Sequence, residues 1–173
     1  MSKAVLISIR PNWCGKIASG EKTIEVRKTR PKLETPFKCY IYCTKKNDRL
    51  IKGDIPTTVG YIAKNEGKVI GEFVCDEIIS IAGAGRISSD IARPTCIEPA
   101  ELHRYLGAAN GYGWHISDLK IYDKPKELGE FKGLCKVESD CCACPHYNYS
   151  KMDCDGRTIN RPPQSWCYVE EQK

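Results

Sequence analysis

Residues 20–28 constrain the fold of this chain most, because a glycine that can end a helix leads into alternating apolar and charged residues. Successive side chains of a β-strand point to opposite faces of its sheet. A strand here therefore directs Ile24 and Val26 to a core, and Glu25 and Arg27 to the other face. Such a charged row is commonly a solvated face, but on a rigid strand it also suits a phosphate or a polar base edge.

Short strands dominate the rest of the sequence. We predict strands over residues 4–9, 23–28, 37–44, 59–63, 69–81, 114–122 with an irregular middle, and 166–170, and helices over residues 13–20 and 98–107. Residues 45–54 and 124–128 are predicted loops, Trp13 is expected to pack on the core, and Gly71 marks a bulge or a close approach. This pattern predicts an α+β fold built on a small, partly open β-barrel flanked by short helices.

Charge is divided unevenly along the chain. Residues 1–70 hold 15 Lys and Arg against 6 Asp and Glu, whereas residues 71–173 hold 12 against 16. An excess of positive charge over part of a chain attracts an anionic partner, most often nucleic acid, although it can also serve only solubility. The sequence therefore predicts RNA or a nucleotide as partner.

Length and hydropathy indicate the number of domains and the location of the protein. A chain of 173 residues is expected to form one domain over residues 1–173. No apolar run is long enough to cross a bilayer, and the apolar segment at residues 4–9 lacks the small-residue cleavage pattern of a signal peptide. We therefore expect a cytoplasmic protein that is not associated with a membrane.

The eleven cysteines fall into two groups. Six lie among apolar, strand-like residues, where cysteine behaves as a small buried hydrophobe. These six are Cys14, Cys39, Cys43, Cys75, Cys96 and Cys167. The other five are crowded into residues 135–154, which contain almost no apolar residues and form the predicted insert within the domain.

The composition of this insert predicts a metal site. Cys141 and Cys144 have the C-x-x-C spacing at which two thiolates of one turn reach one tetrahedral ion. A segment that cannot bury a core needs such an ion to fold, so we predict a structural zinc. Cys142 or His146 could replace one ligand, an iron–sulfur cluster uses the same ligands, and cysteines without any metal are the remaining alternative. The predicted ligands are Cys135, Cys141, Cys144 and Cys154.

Several runs of the sequence resemble ASCH domains, the activating-signal-cointegrator homology branch of the PUA-like superfamily. The opening run comprises residues 6–11 and 16–28, and the later runs are residues 40–44, 71–73 and 161–169. The resemblance spans nearly the whole chain apart from the cysteine-rich insert, which typical ASCH domains do not require. It implies a PUA-like barrel.

The charge of the chain and the shape of the predicted strand favour a module that binds nucleic acid or a nucleotide. Basic side chains on and beside the strand at residues 23–28 would contact phosphate, and lysines after the strand at 37–44 would extend the positive surface. Glu25 would orient Lys22 or accept a hydrogen bond from a base amino group. Tyr40, Tyr42 or Trp114 could stack on an unpaired base. The predicted nucleic-acid-binding residues are Lys22, Glu25, Arg27, Lys28, Tyr42 and Lys45.

The resemblance also implies two hydrolytic alternatives. Some small bacterial ASCH proteins remove the acyl group of acetylated cytidine with a lysine, a threonine three residues later and a distant glutamate. The lysine matches Lys22, but the threonine position holds Glu25, so the hydroxyl is missing. Ribonuclease activity is associated with other ASCH proteins, and would need a general base and acid near the ribose 2′-hydroxyl. If the chain is an enzyme, Lys22 and Glu25 are its predicted catalytic residues.

Overall fold

The computed structural model describes residues 2–45, 57–84, 87–134, 147–148, 150, 153–154 and 157–172. Its strands are β1 Lys3–Ile9, β2 Ile24–Arg27, β3 Phe37–Cys43, β4 Val69–Cys75, β5 Ile78–Ile81, β6 Gly111–His115, β7 Ser117–Lys126, β8 Tyr147–Asn148, β9 Asp153–Cys154 and β10 Trp166–Glu170. Its helices are α1 Pro11–Ala18, α2 Thr57–Lys64, α3 Ser89–Thr95 and α4 Pro99–Leu106, with a 3₁₀ turn at Leu128–Glu130.

The strands form a five-stranded main sheet in the order β10-β1-β3-β4-β7 and a second sheet in the order β2-β6-β5. Strands β1 and β3 are parallel, and the other pairs of both sheets are antiparallel. The predicted α+β class is confirmed. No closed barrel is found among the described strands, because β2 pairs with β6 of the second sheet. None of the described helices is both long and apolar enough to cross a bilayer.

Strand β1 lies inside the main sheet between β10 and β3, and both of its faces are covered. Val5, Ile7 and Ile9 belong to one core cluster, whereas Ala4 and Leu6 belong to another on the opposite face. A strand that is buried on both faces has a continuous apolar sequence instead of an alternating one. Residues 4–9 have this character, which explains why the prediction of a core strand is confirmed.

Trp114 on β6 joins the second sheet to the main sheet. Its side chain is fully buried, and its ring lies 5.9 Å from those of both Phe37 and Trp166. Aromatic pairs in edge or tilted geometry contribute about 0.5–1.5 kcal/mol beyond their buried area. Since Trp114 also pairs with Glu25 in the β2–β6 ladder, this aromatic contact fixes β2 beside the main sheet.

Four predicted elements differ from the structure. The strand predicted at residues 114–122 is two strands in different sheets, β6 and β7. The strand predicted at residues 59–63 is wrong, because these residues belong to α2. The β-branched residues there suggested a strand, but α2 buries Ile62 in the main core, and the Asn65 side chain donates 2.9 Å to the carbonyl of Tyr61 near the helix end. The strand predicted at 69–81 is two strands in different sheets, β4 and β5. The loop predicted at 124–128 lies largely in β7.

The prediction that the six scattered cysteines are buried is confirmed for four of them. The other two, Cys96 and Cys167, are half-buried. Burial raises the pKa of Cys75 to about 12 and that of Cys167 to about 11. These two thiols are therefore protonated near neutral pH and act as packing groups, not as nucleophiles.

Gly71 allows a close approach between β4 and β7. The ladder shifts register at this glycine, and a Cβ there would lie 2.5 Å from the backbone oxygen of Lys120. We expect Gly71→Ala to lower the free energy of unfolding by about 1–3 kcal/mol, the usual cost of overpacking. Gly15→Ala is the matched control, because no atom lies within 4 Å of its Cβ position in α1. Urea denaturation should show Gly15→Ala to be neutral or stabilising, and equal effects would contradict the assignment.

Candidate ligand-binding cavity

A cavity of about 410 Å³ opens between β2, α1, α4 and the residues that precede β10. This volume lies in the usual range of small-molecule sites, roughly 300–1,000 Å³. The residues that line it are Ser8, Arg10, Trp13, Lys22, Glu25, Val26, Arg27, Thr44, Ile97, Glu101, Tyr105, Pro162, Pro163, Gln164 and Ser165.

The floor of the cavity is an ionic triad of Lys22, Glu25 and Arg27. One carboxylate oxygen of Glu25 lies 3.3 Å from Lys22 Nζ, and the other lies 2.9 Å from Arg27 Nη2. The three residues are only 1%, 6% and 9% exposed. The sequence predicted that Glu25 and Arg27 share one face of the strand, and the structure places Lys22 in contact with Glu25 as well. It buries all three side chains, where a solvated row was the simpler expectation.

Lys22 is anchored by acceptors on three sides. Besides Glu25, its Nζ donates to the carbonyl of Ile24 at 2.8 Å and to that of Thr95 at 2.7 Å. An ammonium group has three N–H donors, so these three acceptors account for all of them. The Nζ also lies 5.2 Å from the centre of the Trp13 ring. Burial lowers the pKa of Lys22, although the charge of Glu25 opposes this shift.

Arg27 connects the triad to β1. Its Nη2 donates 2.6 Å to the backbone oxygen of Ser8 in addition to its contact with Glu25. Its Nε is buried and has no hydrogen-bond partner in the described part of the chain. Arg27 therefore holds Glu25 from the side opposite Lys22, and both oxygens of the carboxylate are fixed in position.

The walls of the cavity combine aromatic and charged side chains from separate elements. Trp13 on α1 packs against the main core, as predicted, and also lines the cavity. Tyr105 and Glu101 on α4 line it as well, and Tyr105 is 41% exposed. Arg10 is exposed at the start of α1. The arrangement offers a fixed anionic acceptor at the floor, with rings and a cation around it.

Solved structures of ASCH proteins from Zymomonas mobilis share this architecture. The wild-type structure has a TM-score of 0.59 at 18% identity, covering 97% of this chain and 88% of that one, and a single-residue variant has 0.60 at 18%, covering 97% and 89%. Another variant has 0.53 at 21%, covering 73% and 77%. The chain has an ASCH fold. No family model and no curated protein matches the sequence.

On this ASCH fold the other predicted binding residues lie apart from the triad. Lys28 is exposed just after β2, with its Nζ 5.2 Å from the centre of the Tyr105 ring. Tyr42 is buried in the core cluster that contains Leu6, and it does not line the cavity. Lys45 is exposed after β3 and does not line the cavity either.

Sequence reasoning missed Arg10, Glu101 and Tyr105 as lining residues. A signal for the last two was present in α4, where Leu102 and Leu106 form the buried stripe. Glu101 and Tyr105 are also four residues apart, so they share the adjacent face of the same helix. The sequence does not reveal that this face of α4 lies across from β2.

The predicted metal ligands lie mostly outside the described residues. Cys135, Cys141 and Cys144 lie outside the described residues, as do the possible substitutes Cys142 and His146. Cys154 lies on β9, where its backbone pairs with Tyr147 of β8. Within the described ranges no three His, Cys, Asp or Glu side chains are grouped as a metal site. The zinc site of the insert stays a prediction.

Proposed function

We propose that the cavity binds RNA or a nucleotide by accepting one unpaired base. The observation that carries this proposal is the carboxylate of Glu25, which two cations fix at the floor of a cavity of ligand size. A carboxylate only accepts hydrogen bonds, so it selects ligand edges that carry N–H groups. Base amino and imino groups have this chemistry, and the aromatic walls suit the flat faces of a base.

In this proposal the two buried cations, Lys22 and Arg27, position Glu25 and do not contact the ligand. The donors of Lys22 are used on Glu25 and on backbone carbonyls, and Nη2 of Arg27 is used in the same way. Both residues therefore orient Glu25 instead of contacting phosphate. Arg10, exposed at the rim, is placed to meet a phosphate group. A hydrogen bond from the base to ionised Glu25 is worth about 1.5–3 kcal/mol.

Tyr105→Ala tests the proposal without disturbing the core, because this side chain is 41% exposed. Stacking of a base on an aromatic ring contributes about 1–3 kcal/mol, so we expect the dissociation constant to rise by roughly 5- to 150-fold. Tyr105→Phe keeps the ring and should bind like the wild type. Calorimetric titration with the four ribonucleoside monophosphates and with a single-stranded RNA hexamer measures the effect. Absence of binding of every probe to the wild type at low salt would reject the proposal.

The lowered pKa of Lys22 favours one alternative, an amidohydrolase that acts on acylated cytidine. Burial causes this shift, and a neutral amine is what such chemistry requires of a lysine. The acceptors around Nζ instead favour an ammonium group, and position 25 supplies a carboxylate in place of a hydroxyl. Incubation with acetylated cytidine would show deacylation if this alternative holds, and labelled single-stranded RNA tests the ribonuclease alternative in parallel.

We also propose a structural zinc ion in the cysteine-rich insert. The backbone pairing of Cys154 with Tyr147 places this predicted ligand beside a residue only three positions after Cys144. Elemental analysis of the purified protein is expected to find one zinc per chain, with thiolate ligation and no iron. The paired substitution Cys141→Ser and Cys144→Ser should abolish this zinc. Iron in its place, or no metal at all, would reject the proposed ion.

A further inference from the structure

A basic segment next to the cavity, residues 28–32, is not used by the proposed base site. Lys28, Arg30 and Lys32 are all exposed, and within the described part of the chain none of them forms a salt bridge with a carboxylate. In contrast, Lys38 and Lys68 are paired with glutamates. The segment therefore presents three positive charges that are not neutralised by ion pairs.

Two of these cations lie over aromatic rings. Lys28 Nζ is 5.2 Å from the centre of the Tyr105 ring, and the guanidinium carbon of Arg30 is 5.7 Å from the centre of the Tyr112 ring. Alternating cations and aromatic rings are the elements from which single-strand binding surfaces are built, since rings stack on bases while cations contact phosphates.

The first of these cation–ring pairs lies at the cavity, and the second lies beyond it. Tyr105, under Lys28, lines the cavity itself. Tyr112, under Arg30, is the β6 partner of Arg27 in the β2–β6 ladder. The basic segment therefore begins at the mouth of the cavity and continues beyond the end of β2.

Hydrogen bonds to the main sheet hold the segment in place. The indole Nε1 of Trp166 donates 3.1 Å to the hydroxyl of Thr29, and the hydroxyl oxygen of Tyr168 accepts a 2.6 Å bond from the backbone N–H of Lys32. Both aromatic residues lie on β10, at the edge of the main sheet. A segment fixed at two points loses little further conformational freedom when a ligand binds.

We propose that the ligand of this site is a single-stranded RNA, with one base in the cavity and the following phosphates along residues 28–32. This inference rests on the proposed function and narrows it from any nucleotide to a polynucleotide strand. A free nucleotide would fill the cavity without reaching Arg30 or Lys32. A strand that continues past the base meets both residues.

The test compares short and long ligands on one variant, Arg30→Ala combined with Lys32→Ala. Each phosphate contact on a single strand contributes about 0.7 to the slope of log affinity against log salt. Removing two contacts should lower the slope for an RNA hexamer by about 1.4 and weaken its binding roughly 25-fold at 0.1 M salt. Binding of ribonucleoside monophosphates in the cavity should stay unchanged.

Lys120→Ala combined with Lys124→Ala is the matched control, because it removes the same charge from exposed positions on β7. This control should keep the salt slope and the hexamer affinity. If the Arg30 and Lys32 variant binds the hexamer like the wild type, the strand path is wrong while the cavity proposal stands. The strand path is also wrong if the variant loses monophosphate and hexamer binding equally. If the wild type binds neither ligand, the proposed function itself fails.

Discussion

Replacing Glu25 by Ala is expected to lower the free energy of unfolding by about 3–5 kcal/mol, the cost of leaving buried charges without their partner. Glu25 is the only carboxylate in contact with Lys22 and Arg27 among the described residues. Both cations are almost fully buried and bonded to backbone carbonyls, so neither can turn toward water without breaking those bonds. Denaturation in urea measures the loss.

Glu25→Gln separates the charge of this residue from its volume. The amide keeps the size of the side chain, so a loss near that of Glu25→Ala would assign the effect to the missing charge, and a neutral result would assign it to packing. Glu171→Ala is the matched control at an ion pair nearer the surface, because Glu171 and its partner Lys38 are 32% and 27% exposed. There we expect less than about 1 kcal/mol. Equal losses at both glutamates would contradict the role of the triad.

The floor of the cavity was predictable because its members are close in sequence. Strand alternation fixes that Glu25 and Arg27 share a face, and Lys22 lies only three residues before Glu25. Their burial was not predictable. It depends on the packing of α1, α4 and the residues before β10 over β2. The sequence does not indicate which of these distant segments come together.

The errors in the fold have the same physical origin. The aromatic and β-branched residues of α2 favour a strand, yet the segment is a helix, and its Ile62 packs into the main core. Residues 69–81 are rich in apolar residues, but the acidic pair Asp76 and Glu77 interrupts them, and the chain passes from one sheet to the other there. Local propensity favours a strand or a helix, whereas long-range packing decides which of the two forms and strand pairing decides which sheet receives a strand.

Lys22→Met is expected to change the pH dependence of stability as well as its magnitude. Burial lowers the pKa of Lys22 from its ordinary value of 10.5, so the unfolded chain binds this proton more tightly than the folded protein. Between the lowered pKa and 10.5 the unfolded state holds more protons, and the free energy of unfolding of the wild type rises with pH through this window. The variant lacks the titrating group. The stability difference between wild type and variant should therefore grow as pH approaches 10.5.

The size of the Lys22→Met effect follows from the acceptors that lose their donor. The carbonyls of Ile24 and Thr95 are left unpaired, and each costs about 1–3 kcal/mol of stability.

Lys38→Met is a control for which we expect the opposite pH dependence of stability. Partial burial lowers the pKa of Lys38, but its bonds with Glu171 and Glu72 outweigh this and raise it. The stabilisation from Lys38 is present below 10.5 and is lost as pH rises through the raised pKa. A stability difference for Lys22→Met that shrinks with rising pH would show that the buried ammonium is favoured by its surroundings, and that its acceptors outweigh the cost of burial.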